Sequence, residues 1–142
     1  MNTINLKHIV SFLSVILFMF LAIGTGDDEG TQEDVQSTES AHKVTAVDLM
    51  NEYESNEVNA DAKYEDKVIE VSGTINSIGK DITDDIYITL KTSSSVFTVQ
   101  CLFTDDWTEK VGNLNEGDQV TVKGKLSGKL GNIMVRGCML IK

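Results

Sequence analysis

Few side chains in this chain of 142 residues are equipped for covalent chemistry. The two histidines, His8 and His42, both precede Val44, so the rest of the chain has no imidazole. Ser-His-Asp and Cys-His catalysis both need that base. The two cysteines, Cys101 and Cys138, cannot complete a structural zinc shell without histidine. Asp84-Asp85 and Asp105-Asp106 are oxygen-rich but lack the spaced ligands of a calcium loop, and read as helix-capping and loop acids. The residue types predict no catalytic group, no metal site and no cofactor. Cys101 and Cys138 leave two readings open. Each is a small apolar filler of the interior, or the two bridge neighbouring strands as a disulfide.

Binding chemistry remains, and the charge is unevenly spread. Formal net charge is −10. Residues 119–142 carry Lys123, Lys125, Lys129, Arg136 and Lys142 with no acid, while residues 43–118 hold 16 acids against 6 lysines. An acidic body with a basic end suggests a polyanion surface or internal charge complementarity.

The elements that position these groups follow from hydropathy. "IVSFLSVILFMFLAIG", residues 9–24, is uncharged and follows Lys7. It is shorter than the ~20 residues a spanning helix needs. It is followed by small residues in A-x-G spacing, Ala22 and Gly24. Residues 1–26 therefore read as a signal peptide or an N-terminal membrane anchor. No cysteine follows the run, as a lipoprotein would require. Export places the domain in the periplasm or cell envelope, with the membrane as a partner only if the N-terminal segment stays uncleaved. Residues 27–43 contain six acids and a single large apolar residue, Val35, which predicts an acidic disordered linker.

Residues 44–142 read as one domain. Thr45 and Asp48 form a capping box for a helix that ends near Asn56, and a short second turn covers residues 59–63. The period then changes to two. "IEVSGTI" (69–75), "DIYITLKT" (85–92), "VFTVQCLF" (96–103), "QVTVKGKL" (119–126) and "NIMVRGCMLIK" (132–142) predict five strands. Ile86, Ile88 and Leu90 point inward in the second strand, and Phe97, Val99, Cys101 and Phe103 in the third. Gly137 marks a bulge in the fifth. Thr104 caps a short helix between strands three and four, on which Trp107 packs against the barrel. Gly73 and Gly124 stand mid-strand in the first and fourth strands, where sharp bending leaves no room for an inner side chain. Five strands with paired bends in the first and fourth predict a mainly β fold, a Greek-key OB-fold barrel with an N-terminal helix and a short helix between strands three and four.

The spaced set Tyr53-Glu-Ser-Asn56, Ala60, Tyr64, Lys67, Ile69-x-Val71-x-Gly73-x-Ile75, Val99-x-Cys101-x-Phe103, Gly117-x-x-Val120-x-Val122-x-Gly124, Gly128 and Cys138 resembles the tRNA_anti-like family of OB-fold proteins, small bacterial proteins that are often exported. The resemblance covers about residues 45–142. It implies relatives that bind nucleic acid by fold, and no particular ligand. Many members carry a further cysteine near the position of Leu126, so a shared disulfide scheme does not transfer to this chain.

OB barrels bind on the face of strands two and three, flanked by the loops between strands one and two and between strands four and five. The outward residues there are Tyr87, Thr89, Thr98 and Gln100, with Lys123, Lys125, Lys129 and Arg136 on or near the last hairpin. The expectation is a non-catalytic, exported binding module for a protein or envelope component. The alternative is a binder of single-stranded nucleic acid or another polyanion through the basic hairpin. The net charge disfavours it, because phosphate contacts supply most non-specific affinity.

Overall fold

The computed structural model describes residues 32–141, so the leader or anchor expected over residues 1–26 lies outside the described residues. The elements in chain order are α1 (Gln32–Ser37), β1 (His42–Thr45), α2 (Ala46–Ser55), α3 (Glu57–Tyr64), β2 (Val68–Lys80), β3 (Ile86–Leu90), β4 (Val99–Phe103), a 3₁₀ turn (Asp105–Trp107), α4 (Thr108–Gly112), β5 (Gln119–Leu130) and β6 (Asn132–Leu140). The sheet order is β1-β2-β3-β4-β6-β5, and β2 pairs back onto β5. β2 to β6 are the five expected strands, and they close into an OB-fold barrel.

Closure depends on β2 changing partner along its length. Residues 68–74 pair antiparallel with β5, and residues 75–80 pair with β3 across a register shift near Asn76. The two mid-strand glycines lie in the β2–β5 seam, with Gly73 opposite Val120 and Gly124 opposite Ile69. Their missing side chains leave room for neighbours. A Cβ on Gly124 would stand 2.6 Å from Val135 Cγ1, 2.8 Å from Cys138 Sγ and 3.0 Å from the Arg136 carbonyl oxygen. A Cβ on Gly73 would stand 3.2 Å from Ala46 Cβ, where α2 starts across the strand. Gly137 has φ 61° at the point where β6 gains one residue against both β4 and β5, which is the expected bulge.

The core is one cluster that includes Ile69, Val71, Ile75, Ile88, Leu90, Val99, Val122, Leu126, Ile133 and Val135, with Leu49, Met50, Tyr53 and Tyr64 added from the helices. α2 begins as expected. Thr45 Oγ1 accepts from the Asp48 amide at 3.0 Å and donates to Asp48 Oδ2 at 2.8 Å. α2 and α3 are joined by reciprocal tyrosine–carboxylate bonds. Tyr53 Oη donates to Asp61 Oδ1 at 2.9 Å and Tyr64 Oη to Glu52 Oε1 at 2.9 Å, with Lys63 on Glu52 Oε2 at 2.8 Å. Burial, then the Asp61 bond, pushes the Tyr53 phenol well above its usual range. Both tyrosines belong to the family-like residue set, and here they hold two helices together.

Three expectations need correcting. The segment 27–43 is not a disordered linker throughout, since α1 and β1 both fall within its described part. β1 pairs parallel with β2, His42 beside Ile69 and Thr45 beside Ser72. Val35 is fully buried and shares a cleft with Val68 and the side chain of Lys125. Val68 breaks the alternation of β2, because it lies next to inward Ile69 yet is also buried. Val35 of α1 lines the same cleft. One buried valine contributes about 1.5–3 kcal/mol, enough to seat a helix too short to persist alone. Phe97 is not inside. β4 starts at Val99, because Ser94 Oγ accepts from the amides of Val96 and Phe97 and holds that stretch as a loop. Thr104 does not cap the 3₁₀ turn with its side chain. Trp107 packs as expected, 8% exposed, against Phe103 with Lys110 above its ring.

Gly124→Ala is expected to cost roughly 1–3 kcal/mol, since backbone must shift to admit the methyl. Gly73→Ala should stay within about 1 kcal/mol of wild type, because only side chains need to give way. Urea unfolding of the two variants checks the order.

Candidate binding face

The outer face of β3 and β4 is set by cross-strand register. Tyr87 lies opposite Gly79 of β2 on one side and Leu102 of β4 on the other, and Thr89 lies opposite Gln100. The Tyr87 ring rests across Gly79, where a Cβ would come within 2.8 Å of its hydroxyl oxygen. Glycine there allows the aromatic to lie flat on the sheet and stay half-buried. Thr89, expected outside, is on this face but only 7% exposed. Its Oγ1 lies 2.6 Å from Ser77 Oγ and accepts from Asn76 Nδ2 at 3.4 Å, so its hydroxyl is engaged within the sheet.

Asn132, at the start of β6, was not among the residues singled out from sequence, where its glycine-rich surroundings signal only a turn. Its Oδ1 accepts from the Thr98 amide at 3.0 Å, and its Nδ2 donates to Gln100 Oε1 at 3.2 Å. One side chain therefore ties the β5–β6 turn to the start of β4 and orients Gln100. Thr98 takes part through its backbone. The result is a groove of about 450 Å³ lined by Lys80, Asp81, Ile82, Tyr87, Thr89, Gln100 and Asn132.

One wall of the groove is the loop of residues 81–85. Asp81 Oδ1 accepts from the Thr83 amide at 2.8 Å, the Thr83 hydroxyl at 2.7 Å and the Asp85 amide at 3.0 Å. Lys80 pairs with Asp84 at 3.0 Å. The Thr83 hydroxyl, the two amides and the charge of Arg136 hold the Asp81 carboxyl below its usual range, outweighing the upward push from desolvation. Ile82 is fully exposed at the tip of the loop.

The basic residues separate. Arg136 lies at the β6 bulge beside β4, opposite Lys125 of β5; it is exposed, and its charge bears on Asp81. Lys129 pairs with Glu57 at 3.5 Å and lies over the Phe97 ring at 5.4 Å. Lys123 lies opposite Glu70, which also takes Lys43 at 3.1 Å and the Ser40 hydroxyl at 2.9 Å. Burial pushes the Glu70 carboxyl up, but Lys43, Ser40 and the Lys123 charge bring it below its usual range. Lys125 shares the α1 cleft with Asp34, Glu39 and Asp66. The structure thus brings Tyr87, Thr89 and Gln100 into one groove, with Thr98 and Arg136 at its margin. It places Lys123, Lys125 and Lys129 elsewhere, each among acids distant in sequence.

Cys101 and Cys138 are free thiols, fully buried beneath the face. Cys138 Sγ donates to the Val135 carbonyl at 3.3 Å, and burial, then the neighbouring Cys101 thiol, pushes its pKa up. A second cleft, about 610 Å³ between β1, α2 and α3, contains His42, Glu52, Lys63 and Tyr64. Lys63 and Tyr64 both bond to Glu52 there, and His42 packs edge-on against Tyr64 at 5.1 Å. Among the described residues no cluster of three or more histidine, cysteine or acidic side chains could hold a metal ion.

The tRNA_anti-like family model matches residues 1–139. No curated protein matches the chain. Among solved structures, the chain is similar to a candidate nucleic acid-binding lipoprotein from Klebsiella pneumoniae subsp. pneumoniae MGH 78578, at 19% identity and a TM-score of 0.58, covering 82% of this chain and 98% of that one. An asparaginyl-tRNA synthetase from Entamoeba histolytica in complex with asparaginyl-adenylate matches at 20% identity and a TM-score of 0.40, over 56% of this chain and 22% of that one. The OBody NL8, bound to hen egg-white lysozyme, matches at 18% identity and a TM-score of 0.38, over 53% and 93%. At these identities the likeness is one of fold.

The lowered Asp81 carboxyl gives a pH test. A depressed folded pKa contributes loop stability that is present above the unfolded value, about 3.9, and is lost as pH falls through the folded value. The Thr83 amide should therefore shift at a pH below that of an ordinary aspartate, and Asp81→Asn should remove the transition. An NMR titration of that amide reads both.

Proposed function

The chain belongs to the tRNA_anti-like family, and on that basis we propose that it is an exported, non-catalytic OB-fold binding module that takes its ligand in the β3–β4 groove. The observation that carries this reading is the built floor of the groove. Tyr87 is laid flat by Gly79, and the Gln100 and Asn132 amides are locked together between the 81–85 loop and the β5–β6 turn. Such a surface offers one stacking face and oriented amides, with an apolar tip at Ile82 beside them. It suits a polypeptide or an envelope component rich in hydrogen-bonding groups.

Export is supported by the uncharged run of residues 9–24 and the small residues after it. Residues 1–26 serve as the leader or anchor, and the barrel works in the periplasm or cell envelope. The non-catalytic reading is supported by the groove lining, which has neither histidine nor cysteine and whose charged Lys80 and Asp81 bond within their own loop.

Nucleic acid is the second reading, favoured by the family and by Arg136, whose charge bears on Asp81 of the groove wall. The acids Asp81, Asp84 and Asp85 along one wall oppose it, because backbone phosphates need an uncompensated basic track.

A photoreactive amino acid replacing Gln100 should cross-link one envelope component in the producing cell, and the same group at Glu54 should not. The adduct should fade in a Tyr87→Ala background. An envelope fraction with no Gln100-specific adduct overturns the site. Salt-sensitive binding of a labelled thymidine oligomer that Tyr87→Ala weakens would instead establish the nucleic-acid reading.

A further inference from the structure

The acidic N-terminal segment and the basic last hairpin are the two extremes of the charge distribution, and the fold brings them together. α1 packs on β5 and β6. Its Val35 is fully buried beside Val68, and Asp34 and Glu39 share that cleft with Lys125 and Lys67. The chain then runs on past Glu70, where Ser40 and Lys43 bond to the acid that faces Lys123. α1 therefore lies on the outward side of β5 and β6, near Lys125, while residues 41–45 run along the edge of β2 away from β5. Arg136, opposite Lys125, stays exposed at their edge.

This is not the β3–β4 groove, and it has its own chemistry. Lys123, Lys125 and Arg136 stand together on adjoining strands. No acidic residue occurs from residue 119 to the end of the chain. What neutralises this surface comes from the N-terminal segment and from Glu70 and Asp66 of the neighbouring β2 region. The cover is held by little. α1 has six residues, and Val35 is outside the main core cluster. A short tether raises the local concentration of such a cover enough for weak contacts to keep it seated.

We propose that the β5–β6 face is a second binding surface, for a single-stranded nucleic acid, closed in cis by residues 32–41. The acidic helix stands where the phosphates would lie, and its single apolar anchor sets how readily it gives way. The surface is independent of the ligand assigned to the β3–β4 groove.

The test uses the full chain in detergent micelles and a fluorescein-labelled thymidine 15-mer at low salt. Val35→Asp puts a carboxylate into the Val68 cleft and should expel α1, seen as rapid cleavage after Glu39 by a glutamate-specific protease. The melting temperature of the barrel should stay close to that of wild type. Binding should tighten roughly tenfold or more over wild type, with a log–log salt slope of about −2 for three phosphate contacts. Adding Lys123→Ala, Lys125→Ala and Arg136→Ala should abolish the gain, whereas Tyr87→Ala should leave it intact. Val35→Ala should give a smaller gain in the same direction. A released segment with no gain overturns the proposal, as does a gain that survives loss of the three cations. A Val35→Asp chain still protected at Glu39 also overturns it, because the valine would then not be what seats the cover.

Discussion

Everything in this molecule depends on β2 being shared between two partners. Its first half seals the barrel against β5 and its second half starts the β3–β4 sheet. A strand that serves both must curl, and curling crowds whatever lies on its inner side. Glycine at 73 and 124 removes that crowding, and the vacated space is taken by Ala46, Val135 and Cys138. The same curl turns the outer surface of β3 and β4 into a shallow groove, and it brings the 81–85 loop and the β5–β6 turn to its two sides. The groove is therefore a by-product of closure, and its position follows from where β2 changes partner.

The barrel is legible in the sequence because its signals are local. Alternation in "IEVSGTI" and "VTVKGKL", the Thr45–Asp48 cap and the Gly137 bulge each lie within a few residues. What the sequence conceals is non-local. Val35 looks stranded among acids, and its significance lies in Val68, an apolar residue on the outward side of β2 with nothing nearby to explain it. Each half is unremarkable alone. Together they seat α1 and convert part of an apparent linker into structure. Phe97 fails for the opposite reason. It fits the alternation, but Ser94 satisfies the amides of Val96 and Phe97 before the strand can begin.

The binding face shows the same division. Tyr87 and Gln100 are readable from strand parity, and so is the general direction of Thr89, although its engagement with Ser77 is not. Asn132 escapes because an asparagine after glycine signals a turn, and nothing adjacent reveals that it reaches Thr98 and Gln100. The lysines of the last hairpin look like an uncompensated patch only while their acids remain unplaced. Glu57 and Glu70 meet Lys129 and Lys123 through the fold and are far away along the chain. Net charge by segment thus gives the asymmetry correctly and its exposure wrongly.

The parallel pairing of β1 with β2 has a mechanical meaning. Once α1 has let go, tension applied to the chain ahead of His42 reaches the barrel through four residues that lie alongside Ile69 to Ser72 in matching direction. Along the strand axis, such a load shears those backbone bonds together instead of peeling them one at a time. β1 therefore acts as a strain relief, allowing the cylinder to keep its seam closed while its N-terminal end is tugged.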